Sequence, residues 1–226
     1  VQTCALPILE ELYLKADKQN CDVVVFNFNK INEKDNKITG YNIREKLLKP
    51  FNISESHNFN WKDIKPCVFG GIYLAAWNKL YRMDFVRKNN LHFSKCSLAE
   101  DNVFVIGATL SAKNIGYANK YYYNYLIHEN SALRSKSDKN LCLFKSIDSV
   151  KRLVCEKGLT KELAKEFSQY IFRLVNWHKR QIVSQSKFLE VCKKKLSKYQ
   201  SQTIIDRHSA NQMLLTLLDS LKQKIK

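Results

Sequence analysis

The chain has 226 residues, of which 45% are hydrophobic and 26% charged, a composition that predicts a soluble globular protein and excludes a fibrous or disordered one. Its longest apolar run, Val68 to Trp77, has ten residues and falls short of the roughly 18 that a membrane-spanning helix needs. The net charge is +17, with +5 on residues 1–134 and +12 on residues 135–226. This distribution favours an anionic partner, or it reflects a lysine-rich composition alone.

The number and spacing of the cysteines indicate the cellular compartment of the protein. The seven cysteines are odd in number, and the two nearest in sequence, Cys142 and Cys155, are 13 positions apart, which does not fit the spacing of metal ligands. The chain also carries no secretory signal pattern. We therefore expect free thiols and a cytoplasmic protein.

The first eight residues, Val1 to Ile8, match one reading frame of a common sequencing adapter, and no initiator Met precedes them. We expect residues 1–8 to be an artefact and the native sequence to begin near Leu9, with an upstream part missing. A genuine short strand or loop is the alternative.

Residues 9–134 alternate between helical and strand-like patterns. Leu9 to Lys18 has the spacing of an amphipathic helix, and Cys21 to Phe28 is typical of a strand buried on both faces of a parallel or mixed sheet. A short helix is expected near Ile43 to Leu48. The apolar run Val68 to Ala76 predicts a second strand, and Asp84 to Asn90 predicts another short helix.

The next segment begins with the pattern of a capping box, Ser97-Leu98-Ala99-Glu100, which predicts a helix running to about Lys113. Ile115 to Ala118 and Tyr121 to Ile127 are strand-like, the latter rich in aromatic residues. The alternation of strands and helices predicts an α/β layer architecture for residues 9–134.

After Arg134 the apolar residues keep a helical period. One stripe ends at Gly158, Thr160 is placed to begin the next helix, and two more helices are expected at about 187–198 and 209–224. The sequence therefore predicts a basic, all-helical region over residues 135–226.

Three short motifs contain residues suited to chemistry. Trp77-x-Lys79 closes an apolar strand, Glu100-Asp101 opens a helix, and Tyr125-x-x-His128-x-Asn130-Ser131 follows a strand. In this order and at this spacing they resemble the C-terminal half of a family 2 glycosyltransferase with the GT-A fold. The stretch contains further residues that resemble the family's pattern: Asn78, Leu80, Tyr81, Arg82, Phe85, Asn90, Phe93, Asn102, Val103 and Phe104.

Leu9 to Phe28 also resembles the helix and strand that follow the family's metal-binding D-x-D. The resemblance covers roughly residues 9–134 and is to bacterial enzymes that build capsule, exopolysaccharide or lipopolysaccharide. It implies an α/β fold consisting of an incomplete GT-A sheet-and-helix domain, followed by the helical region.

The resemblance implies inverting transfer of a sugar from a nucleotide-sugar donor to the hydroxyl of a glycan or lipid-linked acceptor. This reaction needs a carboxylate base, and the family's base maps to Asp101. A helix N-terminus suits that role because it favours the ionised carboxylate. Glu100 either assists or serves only as a helix cap.

Trp77 and Lys79 map to the family's W-x-K segment near the donor and acceptor pocket. Trp77 would offer a flat platform to a sugar ring and Lys79 a charge to phosphate, or the pair is a core Trp beside a surface Lys. His128 is a candidate for contacting the metal or the diphosphate, with a loop histidine that has no such role as the alternative.

Two features depart from the family's pattern. Leu126 follows Tyr125 where members often have Arg, and no D-x-D occurs in the 226 residues. The D-x-D aspartates hold Mg²⁺ or Mn²⁺ against the diphosphate. We therefore expect the full-length enzyme to need a divalent metal and the present chain to be inactive by itself.

Two other classes of function remain open. A basic binding module would stack nucleic acid on Tyr121, Tyr122, Tyr123 and Tyr125, but the basic residues concentrate after residue 135, so we expect no nucleic-acid partner. A non-catalytic glycosyltransferase-like scaffold is the other class. The basic tail, with Lys193-Lys194-Lys195, either contacts the anionic inner face of the cytoplasmic membrane or is simply solvated.

Overall fold

The structure is a computed structural model that describes residues 5–96, 98–128 and 137–201, with His208, Asn211, Gln212, Leu215 and Thr216 as isolated positions. The chain forms two compact units. The first lies within Val1–Phe93 and Asp101–Ser131, and the second within Ser94–Glu100 and Ala132–Lys226.

The first unit is built on a mixed sheet whose strands are β1 (Val23–Asn32), β2 (Ile38–Tyr41), β3 (Lys79–Tyr81) and β4 (Ile115–Ile127). β1 is the central strand and pairs with β4 in parallel along its whole length. On its other edge β1 pairs antiparallel with β3 near its start and with β2 near its end. The first six residues of β1 are buried, as its unbroken apolar run predicts. The mixed sheet and the α/β architecture are confirmed.

The described part of the first unit also contains the helices α1 (Ala5–Lys18), α2 (Met83–Lys88) and α3 (Asp101–Ser111). Short helical turns at Arg44–Leu48, Lys49–Phe51 and Lys65–Cys67 lie between β2 and β3. All nine residues of α3 from 102 to 110 are buried. Because a helix enclosed in this way cannot shift easily, α3 is a rigid base for its first residue, Asp101.

The predicted strand over Val68–Ala76 is wrong. This segment forms successive turns, and the strand that follows begins only at Lys79. Four of its apolar side chains are nevertheless buried, because the turns lie against the core and fill it as a strand would: Val68, Phe69, Ile72 and Ala75. Gly71 shows how tight the turns are, since a Cβ there would lie 2.5 Å from the Cys67 Sγ.

The two strand-like segments predicted at Ile115–Ala118 and Tyr121–Ile127 form one strand, β4. The pairing of β4 with β1 shifts register beside Asn27, and this irregularity accommodates Asn119 and Lys120 without ending the strand. The polar residues that suggested a break therefore form a bulge.

The described part of the second unit is helical, with α4 (Leu143–Glu156), α5 (Ala164–His178) and α6 (Gln185–Ser201). Gly158 follows α4 with a φ of 70°, which confirms the predicted end of that helix. Thr160 does not begin α5, which starts four residues later. Most of the helix predicted at 209–224 lies outside the described residues, as do Val1 to Cys4, and the division at residue 134 stays a prediction.

Within the described ranges, no helix combines the length and the apolar character that crossing a membrane requires. The six cysteines that the structure describes form no disulfide bonds with one another.

Buried His178 makes the stability of the second unit depend on pH. Its Nδ1 lies 2.6 Å from Gln181 Oε1, and burial lowers the pKa of the imidazole below its ordinary 6.5, an effect that the Gln181 hydrogen bond opposes. The unfolded chain then binds more protons than the folded one, so stability is full above pH 6.5 and is lost as the pH falls through the lowered pKa.

We expect His178→Gln to flatten the fall in Tm between about pH 7 and pH 5, because the variant lacks the group that must take up a proton. Circular dichroism during thermal unfolding measures this slope. His92→Gln, at an exposed position, is the control and should keep the wild-type slope. Equal slopes in the wild type and in the His178 variant would contradict the account.

Candidate active site

Asp101 is the first residue of α3 and is half-buried. Its Oδ2 accepts a hydrogen bond of 3.1 Å from the backbone N–H of Ala76. The carboxylate lies at the helix N-terminus, and the Ala76 amide fixes one of its two oxygens. This contact places Asp101 next to the Trp77 segment, 25 positions away in sequence.

Lys79 is 7% exposed and holds the loop that precedes it. Its Nζ donates three hydrogen bonds of 2.7 Å, to the carbonyl oxygens of Tyr73 and Ala75 and to Asn78 Oδ1. Burial lowers the pKa of this lysine well below 10.5, while the Asp101 carboxylate opposes the shift. Because an ammonium has three N–H donors and all three are used here, Lys79 sets the conformation of the loop that contacts Asp101. Its predicted contact with phosphate stays a prediction.

Six rings from four parts of the first unit form one cluster, which we call the aromatic surface: Phe28, Tyr41, Tyr73, Trp77, Tyr123 and Tyr125. Phe28 on β1 is paired with Tyr41 on β2 and with Tyr123 on β4, so three rings stand side by side across the sheet. The surface is open to solvent in part, since Tyr123 is 41% exposed.

Trp77 lies at the centre of the aromatic surface. Its ring stacks against Tyr123, with centroids 4.6 Å apart, and against Tyr125, with centroids 5.3 Å apart. It also meets Phe28 edge-on at 4.7 Å. Trp77 is half-buried, so it is neither a fully buried core residue nor a fully exposed platform.

Tyr73 is held in a strained backbone conformation, with a φ of 62°. A bulky residue in the left-handed region is unusual and persists only where its surroundings fix it. The hydrogen bond from Lys79 Nζ to the Tyr73 carbonyl is such a restraint. Burial raises the pKa of the Tyr73 hydroxyl to about 12, with smaller contributions from Tyr41 and Tyr125.

Glu100 is exposed and precedes α3, and its carbonyl accepts a hydrogen bond of 3.1 Å from Ser94 N. The predicted capping box is wrong, because it requires residues 98–100 to form the first helical turn. Ala99 instead adopts a left-handed φ of 58°, which delays the start of the helix to Asp101. Ser97 itself lies outside the described residues. The catalytic role suggested for Glu100 stays a prediction.

His128 follows β4 and is 51% exposed. Its Nδ1 lies 3.0 Å from Glu33 Oε1, which forms an ion pair when the imidazole is protonated. Among the described residues, no hydrogen bond or ion pair joins His128 to Asp101, Trp77 or Lys79. Asn130 and Ser131 of the same motif lie outside the described residues.

The described residues do not form a metal site. Within the described ranges, no three His, Cys, Asp or Glu side chains come together in a way that would hold a metal ion. The divalent metal expected for the full-length enzyme therefore stays a prediction.

Sequence reasoning missed several residues of this region. Tyr41 and Tyr73 complete the aromatic surface, and Lys30 lies over its rings. Among the described residues the buried hydroxyl of Tyr81 has no hydrogen-bond partner. Burial together with the Asp101 carboxylate raises the pKa of this hydroxyl above its ordinary value of 10. The sequence signal that could have predicted the aromatic surface is the spacing of Tyr123 and Tyr125, since residues two apart on a strand lie on the same face of the sheet.

No family model matches the chain, and no curated protein matches it in sequence. Solved structures do match it in fold. The crystal structure of S. aureus TarS 1-349 in complex with UDP superimposes with a TM-score of 0.56 at 14% identity, over 96% of this chain and 63% of that one. A second crystal structure of S. aureus TarS gives a TM-score of 0.53 at 15% identity, over 92% of this chain and 36% of that one.

The fold of the present chain is therefore similar to that of the TarS structures. At 14% and 15% sequence identity, this similarity extends to the fold alone. The chain spans less than two thirds of the length of either TarS structure.

Proposed function

We propose that the chain belongs to an inverting, family 2-like glycosyltransferase that moves a sugar from a nucleotide-sugar donor to a hydroxyl of a cell-surface glycan or lipid-linked acceptor. The observation that carries this proposal is the position of Asp101. A carboxylate fixed at a helix N-terminus contacts the loop that bears Trp77, within a glycosyltransferase-like fold. TarS, which has a related fold, is solved in complex with UDP.

In the proposed mechanism Asp101 removes the proton from the attacking hydroxyl of the acceptor. Ala76 N–H holds Oδ2, which leaves Oδ1 to take the proton. The aromatic surface would position the acceptor sugar by packing against its apolar face, with Trp77 as its central ring. Lys79 is a positioning residue here, since it holds the loop through Tyr73 and Ala75.

The leaving diphosphate needs positive charge to stabilise it. In the full-length enzyme we propose that Mg²⁺ or Mn²⁺ supplies this charge from residues that the present chain does not contain. His128 remains a candidate for contacting substrate.

The full-length gene product, incubated with a panel of nucleotide-sugars, tests this function. We expect release of nucleoside diphosphate from one donor only when an acceptor glycan and a divalent metal are both present. EDTA should abolish the release, and added Mn²⁺ or Mg²⁺ should restore it. A folded full-length protein that releases no nucleoside diphosphate with any donor, with acceptor extracts from its own cell envelope, would favour the scaffold alternative.

We also propose that the protein works at the cytoplasmic face of the membrane. The exposed lysines of α6 support this proposal: Lys187, Lys193, Lys194 and Lys198. Lys195, in contrast, is paired with Asp148 and contributes less.

Flotation with liposomes tests membrane contact. We expect the protein to float with vesicles that contain anionic lipid and not with neutral ones, and the double variant Lys193→Gln/Lys194→Gln to float less, because each lysine contributes about 1 kcal/mol near an anionic surface. Equal flotation with both kinds of vesicle would remove the idea.

A further inference from the structure

Two lysines meet one ring at the edge of the aromatic surface. Lys30 Nζ lies 4.6 Å from the centroid of the Tyr41 ring and 5.9 Å from those of Phe28 and Tyr73. Lys46 Nζ lies 5.5 Å from the Tyr41 centroid. The two ammonium groups come from β1 and from the helical turn after β2, so the fold brings them together around Tyr41.

The charges of these lysines are not balanced. In the part of the chain that the structure describes, neither ammonium is paired with a carboxylate. Glu45, the neighbour of Lys46, has its two oxygens 3.3 Å from Arg44 and 3.5 Å from Lys49. Burial lowers the pKa of Lys30, and the charge of Lys46 lowers it further, so the two ammonium groups repel each other. An anion between them would relieve that repulsion.

The surroundings specify what kind of anion fits. Of the rings beside the lysines, Tyr41 and Tyr73 are half-buried and keep part of their apolar surface open to a sugar, and cation–π contacts hold the two charges at that surface. An ammonium is a compact point charge that suits either a phosphate or a carboxylate. The combination suits an anionic group attached to a sugar better than a free ion or a neutral glycan.

We propose that Lys30 and Lys46 bind the phosphate or carboxylate of an anionic acceptor glycan whose sugar rings pack on the aromatic surface. This inference rests on the proposed function, because it names the acceptor class of the same site. It differs from the predicted sites, which contain neither lysine.

Binding of defined oligosaccharides to the full-length gene product tests the proposal without requiring transfer. The probes are maltohexaose, maltohexaose phosphorylated on one glucose, and a hexamer of galacturonic acid. We expect at least one anionic probe to bind about tenfold more tightly than maltohexaose, with an affinity that falls as salt is added. The two anionic probes distinguish a phosphate from a carboxylate requirement.

Lys30→Gln and Lys46→Gln should each weaken binding of the preferred anionic probe about five- to tenfold and leave binding of maltohexaose unchanged. Lys34→Gln, at an exposed position between β1 and β2, is the matched control and should bind like the wild type. Lys46 is also exposed, so its variant is expected to fold even if the half-buried Lys30 variant does not.

The outcomes separate this inference from the proposed function. Tight binding of all probes regardless of charge, or affinities unchanged in both lysine variants, would overturn the inference while leaving glycosyl transfer standing. Lysine-dependent binding of an anionic probe by a protein that transfers no sugar would uphold the site and contradict the proposed function.

Discussion

Replacing Asp101 with Asn is expected to lower kcat by about 10²–10⁴-fold, the contribution typical of a positioned general base. Asn has nearly the same shape and keeps an oxygen that can accept the hydrogen bond from Ala76 N–H. The loop that carries Trp77 should therefore stay in place, and both the Tm and the affinity for the donor should change little. A selective loss of kcat would separate a chemical role from a structural one.

Two further variants make this measurement specific. Asp84→Asn changes an exposed acid in the first turn of α2 and should retain wild-type turnover. Glu100→Gln measures any assistance from Glu100, and we expect a smaller loss than for Asp101, because Glu100 is exposed and precedes α3. Turnover of the Asp101 variant within about threefold of wild type would remove Asp101 as the base.

Replacing Lys79 with Met is expected to lower the free energy of unfolding by about 3 kcal/mol, because three oxygens lose a charged donor and each such loss costs about 1 kcal/mol or more. Three oxygens would lose their donor, namely those of Tyr73, Ala75 and Asn78. The strained backbone of Tyr73 would also lose a restraint. For a chain of this length such a loss corresponds to a Tm lower by about 6 °C or more.

Thermal or urea unfolding of the Lys79 variant measures this effect. Lys34→Met is the control, because Lys34 is exposed and its side chain makes none of these contacts. A Lys79 variant within about 1 kcal/mol of the wild type would mean that water satisfies the three oxygens equally well, and Lys79 would then not be what holds the loop.

Local pattern predicted the parts of the fold that depend on neighbouring residues. The unbroken apolar run before Phe28 predicted the buried central strand, and Gly158 predicted the end of α4 because glycine enters the left-handed region readily. The run over Val68–Ala76 misled the prediction, since periodicity cannot distinguish a buried strand from buried turns. The left-handed backbone conformation of Ala99 could likewise not be predicted, because alanine rarely adopts it.

The candidate site depends on contacts between distant residues, and sequence predicted only part of it. Asp101 and Trp77 were chosen through a family resemblance, while the Ala76 contact that joins their segments comes from the fold. The aromatic surface combines residues from 28 to 125 through strand register, and no local pattern specifies that register. Lys30 and Lys46 were missed because single lysines in a lysine-rich chain give no signal.

The anomeric configuration of the product tests the central claim most directly. If Asp101 acts as a base in a single displacement, the sugar must reach the acceptor with its configuration inverted. Proton NMR of the product formed by the full-length enzyme from an α-linked nucleotide-sugar should then show the large anomeric coupling of a β-glucoside-type linkage. An α-linked product would contradict direct displacement and, with it, the role of Asp101.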